Sequence, residues 1–265
     1  MHESVLVVVA NKRYLDPAKA VFYGAHDRGE WPGDMALVAF PDVSEEDAQW
    51  FTSRGIEVMR FDTPVPTEGL EVAQAAQFHK LNVFRTAFKK WKRVVYLDCD
   101  ILLLRSLVPL LSIDTQDGIV VDGEVWPEGL ASQFAPEASP ELFAKLGNEV
   151  EDLSINNFNT SSMVFDTSTL LEDTYDTMVT TLKDYQPILK NGDQPVINLY
   201  FYKRWVQLPE KTIGFFQSAD AAQYIGLHFC NWNAPWQLKG TNIETMWLEN
   251  LANANAASSL VRKAP

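Results

Sequence analysis

The chain has 265 residues, 46% hydrophobic and 22% charged, which fits a globular protein of one large domain or two small ones. Its formal net charge of −13 argues against nucleic acid as a main partner and against docking on anionic membranes, since both need clustered Lys and Arg. A local site can still invert that field for an anionic small ligand. The opening MHESVLVVVANKRY holds an apolar run too short to span a bilayer, and it lacks a basic leader and a small-residue cleavage site. With only two cysteines, Cys99 and Cys230, this predicts a cytoplasmic protein in a reducing compartment with no membrane anchor.

Residues 5–10 read as a first buried strand. Asp16 followed by Pro17 predicts a helix start, running to about Gly29. Residues 35–40 form a second strand. SEED at 44–47 resembles a capping box, with Asp in the usual Glu position, and opens a helix ending near Gly55. Residues 56–61 are a third strand and DTPVPTEG a loop. Leu81, Phe84 and Phe88 stand at helical spacing in a long helix over 72–91, and 94–97 is a fourth strand. Further on, 119–121 and 162–165 read as strands, and 168–185 and 194–202 as helices. Residues 225–229 form a short apolar run, and 241–252 a terminal helix. Strands alternating with helices imply an α/β fold with a mostly parallel sheet, where ligands bind beyond the carboxyl ends of strands. No repeat, low-complexity stretch or linker divides the chain, so one domain is expected.

In VVYLDCDILLL, Asp98 and Asp100 stand at such a strand end. Two carboxylates one residue apart can hold Mg²⁺ or Mn²⁺, although three letters alone also suit a polar turn. His228 likewise follows an apolar run. Two carboxylates and an imidazole suit Mn²⁺ better than Mg²⁺; the plain alternative is a core histidine bonded to a backbone carbonyl. Alternation points Cys99 away from the acids, and no C-x-x-C occurs. Both cysteines are therefore expected to be buried and zinc is not expected. NTS at 159–161 fits the glycosylation pattern, but without a secretory signal it reads as chance.

Five stretches occur in order: VVVANKRY, FHKLNVFRTAFKKWKRVVYLDCDILLLRSL, NNFNTSSMVFDTS, NGDQPVIN and HFCNWNAPW. Together they resemble the retaining nucleotide-sugar glycosyltransferases of family eight, the glycogenin and galactinol synthase group, over about residues 5–236. The resemblance implies a GT-A fold, a Rossmann-like, mostly parallel sheet flanked by helices in a single domain. Residues 1–110 would be the nucleotide-binding half, 111–240 the sugar and acceptor half, and 241–265 a helix and tail. It implies a UDP-sugar donor and an acceptor hydroxyl on a carbohydrate, polyol or glycoconjugate.

By the same resemblance, Asp98, Asp100 and His228 would hold the metal. Ala10, Asn11 and Tyr14 match the uridine-binding stretch, with Tyr14 stacking on the base. Lys80 matches a lysine near the donor phosphate and sugar, and Asn159 and Thr160 a pair lining the donor sugar. Asp193 and Gln194 match the acidic-amide pair at the reacting carbon. Each has a plainer alternative: Tyr14 as a surface aromatic, Lys80 as a solvated helix residue, Asn159 as a strand cap, Asp193 as a helix N-cap. Trp232 and Trp236 either pack a lid over the sugar or fill the core.

Two departures stand out. The family's late motif, His-x-x-Gly-x-x-Lys-Pro-Trp, here has Asn231 for the glycine and Ala234 for the lysine. Losing that lysine removes a charge-assisted contact of about 1.5–3 kcal/mol. No stretch matches glycogenin's self-glucosylated tyrosine segment. Residues 122–160 and 203–224 are expected to build the acceptor site, and their aromatics, Trp126, Phe134, Phe158, Trp205, Phe215 and Phe216, suit either sugar stacking or plain packing. Two rival readings remain. One is a nucleotide-sugar-binding or scaffold protein that lost turnover, suggested by Ala234. The other is a haloacid-dehalogenase-type phosphatase with Asp98 as nucleophile, disfavoured by the long stretch before Asp98 and by Ile101 after the second acid.

Overall fold

Strand β1 (His2–Ala10) is apolar on both faces, which suits the middle of a parallel sheet covered on both sides. Leu6 and Val8 point into one core layer with Phe22, Leu37, Val95 and Leu97. Val5 and Val7 point into the other, with Val38, Phe84, Tyr96 and Phe165. This period of two runs through the neighbouring strands and sandwiches the sheet between two apolar layers. The computed structural model describes residues 2–66, 68–70, 72–124, 128–218, 220–230 and 233–261. Trp126, Asn231 and Trp232 lie outside the described residues.

The elements follow as α1 (Leu15–His26), β2 (Asp34–Ala39), α2 (Glu45–Thr52), β3 (Glu57–Arg60), α3 (Val72–Phe78), β4 (Trp91–Leu97), β5 (Ile101–Leu103) and β6 (Ile119–Glu124). Then come α4 (Pro140–Glu149), β7 (Asn157–Asp166), α5 (Thr174–Tyr185), α6 (Gln194–Tyr200), β8 (Trp205–Gln207), β9 (Ile213–Phe215), β10 (Gly226–His228) and α7 (Asn242–Ala256). The seven-stranded sheet has the order β3-β2-β1-β4-β7-β6-β8, with β7 antiparallel to both its neighbours and the other pairs parallel. A second sheet, β5-β10-β9, pairs β10 antiparallel to β5. The fold is the expected single α/β domain with a mostly parallel sheet. Among the described residues no helix is long and apolar enough to cross a membrane.

The capping box forms as expected: Ser44 Oγ accepts from the Asp47 amide, and the Asp47 carboxylate accepts from the Ser44 amide, each at 3.1 Å. Three expectations need correction. The helix expected over 72–91 stops at Phe78 and gives way to 3₁₀ turns over His79–Phe84 and Thr86–Lys90, separated by Arg85 in an extended conformation. Residues 78–84 are all buried, so no solvent face exists to sustain an amphipathic helix, and the tighter winding points side chains into several layers at once. Helix α1 begins at Leu15, not at the Asp16 cap, because the turn Lys12–Tyr14 runs straight into it. Asp16 instead pairs with Lys19 at 2.7 Å. Cys230 is half-buried, not buried; only Cys99 is, its thiol donating to the Val9 carbonyl at 3.3 Å. Sequence periodicity missed α4 and the three-residue strands β5, β8 and β9, which are too short to show a pattern.

Candidate active site

The sheet's order puts several chain ends at one edge. Parallel β1 and β4 both finish there, followed by Asn11 and Tyr14 from one and Asp98 and Asp100 from the other. Antiparallel β7 enters at the same edge, so the Asp98 amide donates to the Ser161 carbonyl at 2.7 Å. A register shift after Val121 turns the end of β6 toward β7, with Glu124 opposite Asn157. From the second sheet, β10 sets His228 opposite Ile101, directly after the acid pair. These ends enclose a cavity of about 950 Å³.

One ligand atom each from Asp98, Asp100 and His228 lies within 4.8 Å of the others. Asp100 Oδ1 is buried, lacks a hydrogen-bond partner among the described residues, and sits 3.6 Å from His228 Nε2. Burial, then the neighbouring Asp98 charge, push the Asp100 carboxyl up to about 8. Burial lowers the His228 imidazole below its ordinary value, against the opposing pull of Asp98, so its neutral, ligating form prevails near pH 7. An octahedral cation with ligands at about 2.0–2.1 Å needs donor atoms about 3 Å apart when adjacent and about 4 Å when opposed. The trio fits such an ion with small side-chain shifts, and an orphaned carboxylate oxygen is what a cation would satisfy.

Lys80 is buried beside this trio. Its ammonium lies 3.0 Å from Asp98 Oδ1 and 3.5 Å from Asp193 Oδ2, and donates to the Thr160 carbonyl at 3.3 Å. Burial alone would lower its pKa; Asp193 and Asp98 outweigh that and hold it above the usual lysine value. The solvated-helix alternative is therefore wrong for Lys80. Asp193 does not cap α6 with its side chain. Its carboxylate accepts from Thr160 Oγ1 at 2.9 Å, and burial raises its pKa despite Lys80. Gly192, at φ +57°, makes the turn that aims it, with Gln77 packed where a side chain would otherwise stand. The Tyr96 hydroxyl donates to Asp98.

Ala10, Asn11, Tyr14, Asn159, Thr160 and Gln194 line the same cavity. Asn11 also accepts from the Tyr14 amide at 3.2 Å, which holds the tyrosine's turn. Trp236 is not on the wall. It packs edge-on to Tyr14 at 6.0 Å and against Trp247 at 5.4 Å, behind the tyrosine. Sequence reasoning missed Glu124, Gln133 and Lys190 as wall residues, whereas Phe215, which also lines the cavity, was among the aromatics singled out for stacking or packing. Glu124 had a signal: in GIVVDGE it stands three residues past an apolar run, as Asp98 stands directly past one in VVYLD. Asn159 belongs to β7 and hydrogen-bonds to Glu124 at 3.0 Å, which removes it from any exposed glycosylation loop.

With the motif-bearing residues gathered in one cleft, the comparison that decides the family is a match to the model for glycosyl transferase family 8 over residues 6–237. The chain belongs to glycosyl transferase family 8. This family 8 chain is thus a glycosyltransferase, and the phosphatase reading falls away. No curated protein matches it. Among solved structures it resembles the galactosyltransferase LgtC in complex with donor and acceptor sugar analogues (14% identity, 98% of this chain and 97% of that one, TM-score 0.70). It also resembles the bifunctional glycosyltransferase WbbM (18%, 95% and 50%, 0.68) and GlyE of Streptococcus pneumoniae (15%, 97% and 63%, 0.62). The chain spans half the length of WbbM and nearly all of LgtC. At these identities the likeness carries the fold.

Proposed function

We propose that the chain transfers a hexose or related sugar from a UDP-sugar to a hydroxyl of a carbohydrate, polyol or glycoconjugate, with retention at the anomeric carbon and in the cytoplasm. The observation that carries this reading is the convergence of Asp98, Asp100 and His228, remote in sequence, beside Lys80 on a cavity large enough for a nucleotide sugar. Mn²⁺, or Mg²⁺, held by those three would neutralise the donor diphosphate. Residues 1–110 bind the nucleotide, with Ala10 and Asn11 along the uridine and Tyr14, backed by Trp236, stacking on the base. Residues 111–240 take the sugar and acceptor, and 241–265 form the terminal helix and tail.

Lys80 supplies a fixed positive charge where the diphosphate departs, an interaction that generally carries a large share of catalysis. Asn159 and Thr160 line the donor sugar. Asp193, braced by Lys80 and Thr160, and Gln194 orient it, so the acceptor attacks from the face the diphosphate leaves. Lys190, exposed on the cavity wall, is the candidate cation in place of the lysine that Ala234 replaces.

The test is Asp100→Asn assayed for UDP release and sugar transfer over a panel of UDP- and GDP-sugars in saturating Mn²⁺, beside the wild type. Wild-type turnover with a UDP-sugar and its collapse in the variant support the reading; undiminished turnover in the variant removes the metal role. Tight UDP binding without hydrolysis or transfer on any donor would favour the binding-protein reading.

A further inference from the structure

The sugar end of the cavity is built from amides around one acid. Glu124 Oε2 accepts from Gln133 Nε2 at 3.2 Å, Asn157 Nδ2 at 3.0 Å and Gln194 Nε2 at 3.2 Å. Glu124 Oε1 accepts from Asn159 Nδ2 at 3.0 Å. A carboxylate has about four lone-pair positions and no N–H to give. Four amides thus converge on it, three on Oε2 and one on Oε1, and each must turn its NH₂ end toward it.

The consequence reaches Gln194. Its second N–H goes to Gln133 Oε1 at 3.0 Å, so both its donors are taken by the protein. Its Oε1 accepts one bond, from the Thr160 amide at 3.3 Å, and keeps a second lone pair. Gln194 therefore addresses the cavity through its carbonyl oxygen. Asn159 is held in the same sense, its Oδ1 accepting from the Ser161 amide at 2.8 Å. Gln133 Oε1 also accepts from Asn191 at 2.8 Å, tying the wall on the α6 side to the same network.

We propose that Glu124 is a positioning residue that fixes which end of the Gln194 and Asn159 amides faces the donor sugar. This rests on the glycosyl-transfer reading. A sugar carbon that becomes positive in the transition state is stabilised by the negative end of an amide dipole and opposed by the N–H end. Glu124 lines the cavity, but with both oxygens bonded to these amides its role is to act through Gln194 and Asn159. An amide in its place offers one accepting oxygen and two new donors, so it cannot satisfy four NH₂ groups, and some of them turn over.

The test compares wild type with Glu124→Gln and Glu124→Asp, each checked by thermal melting and by titration with UDP and Mn²⁺. Glu124→Gln is expected to lower kcat about 100-fold, the scale of a misplaced reacting group, with UDP affinity and donor KM changed less than about threefold. Glu124→Asp keeps the charge and is expected to fall between the two. The orientation itself is read in the wild-type chain, without turnover. Side-chain ¹⁵N of Gln194 should show a scalar coupling through the hydrogen bond to the Glu124 carboxyl carbon, and its NH₂ should exchange slowly with water. A fast-exchanging, uncoupled Gln194 amide, or a Glu124→Gln enzyme within about threefold of wild-type kcat, overturns the proposal. A wild-type chain that moves no sugar overturns the functional reading, while the coupling still decides the orientation.

Discussion

Replacing Lys80 by methionine removes a buried charge and keeps the length of its stem. The ammonium sits between Asp98 at 3.0 Å and Asp193 at 3.5 Å, and the Lys80 and Asp193 side chains are only 9% and 4% exposed. Removing one partner of a buried pair costs about 3–5 kcal/mol, because the remaining charge has neither water nor counterion. With an unfolding entropy of about 2.1 cal/mol/K per residue over 265 residues, that lowers Tm by about 5–9 °C. Asp193, whose pKa burial already raises, escapes the penalty by taking up a proton, so the loss should shrink from pH 8 to pH 5. Adding Asp193→Asn removes the stranded carboxylate and should recover part of the loss. Calorimetry of wild type, both single variants and the double variant at pH 8, without metal and at two salt concentrations, gives the coupling. Salt should matter little, since buried pairs are weakly screened. If Lys80→Met melts within about 2 °C of wild type, or the double variant melts no higher than Lys80→Met, the buried-charge argument is wrong.

A pH test uses His79, where burial and then Arg85 outweigh the hydrogen bond to Ala39 and hold the imidazole at about 4. The unfolded chain protonates first, near pH 6.5, so stability is complete above that pH and is lost as pH falls toward 4, by about 3 kcal/mol in all. Denaturant titrations should show that pH-dependent loss in wild type but not in His79→Gln; parallel curves would contradict it. Tyr14→Ala should weaken UDP binding by calorimetry about 5–150-fold, the range for losing one base–aromatic stack of about 1–3 kcal/mol. A loss below about threefold means Tyr14 does not stack. Ala234→Lys restores the motif's cation and should tighten UDP binding at least tenfold, about 1.4 kcal/mol; unchanged affinity means the side chain does not reach the diphosphate.

Much of the fold was legible because its cause is local. A central parallel strand needs apolar residues on both faces, and residues 5–10 and 94–97 announce themselves that way. The Ser44 box closes within four residues. Motif order pointed to the residues that now share one cavity, since each stretch ends or begins an element at the same sheet edge. The stretch 72–91 misled because its middle, 78–84, is buried on all sides, which cancels the meaning of a 3.6-residue period there.

What the sequence by itself determined is which of the longer, strongly patterned segments become strands and helices, and which carry acids, amides and a histidine at their ends. Only tertiary structure decided which of those ends meet. The antiparallel pairing of β10 with β5 carries His228 to the acid pair, and the register shift in β6 brings Glu124 among four amides drawn from three parts of the chain. Pairing register depends on contacts between residues far apart in the chain, and no local pattern encodes them.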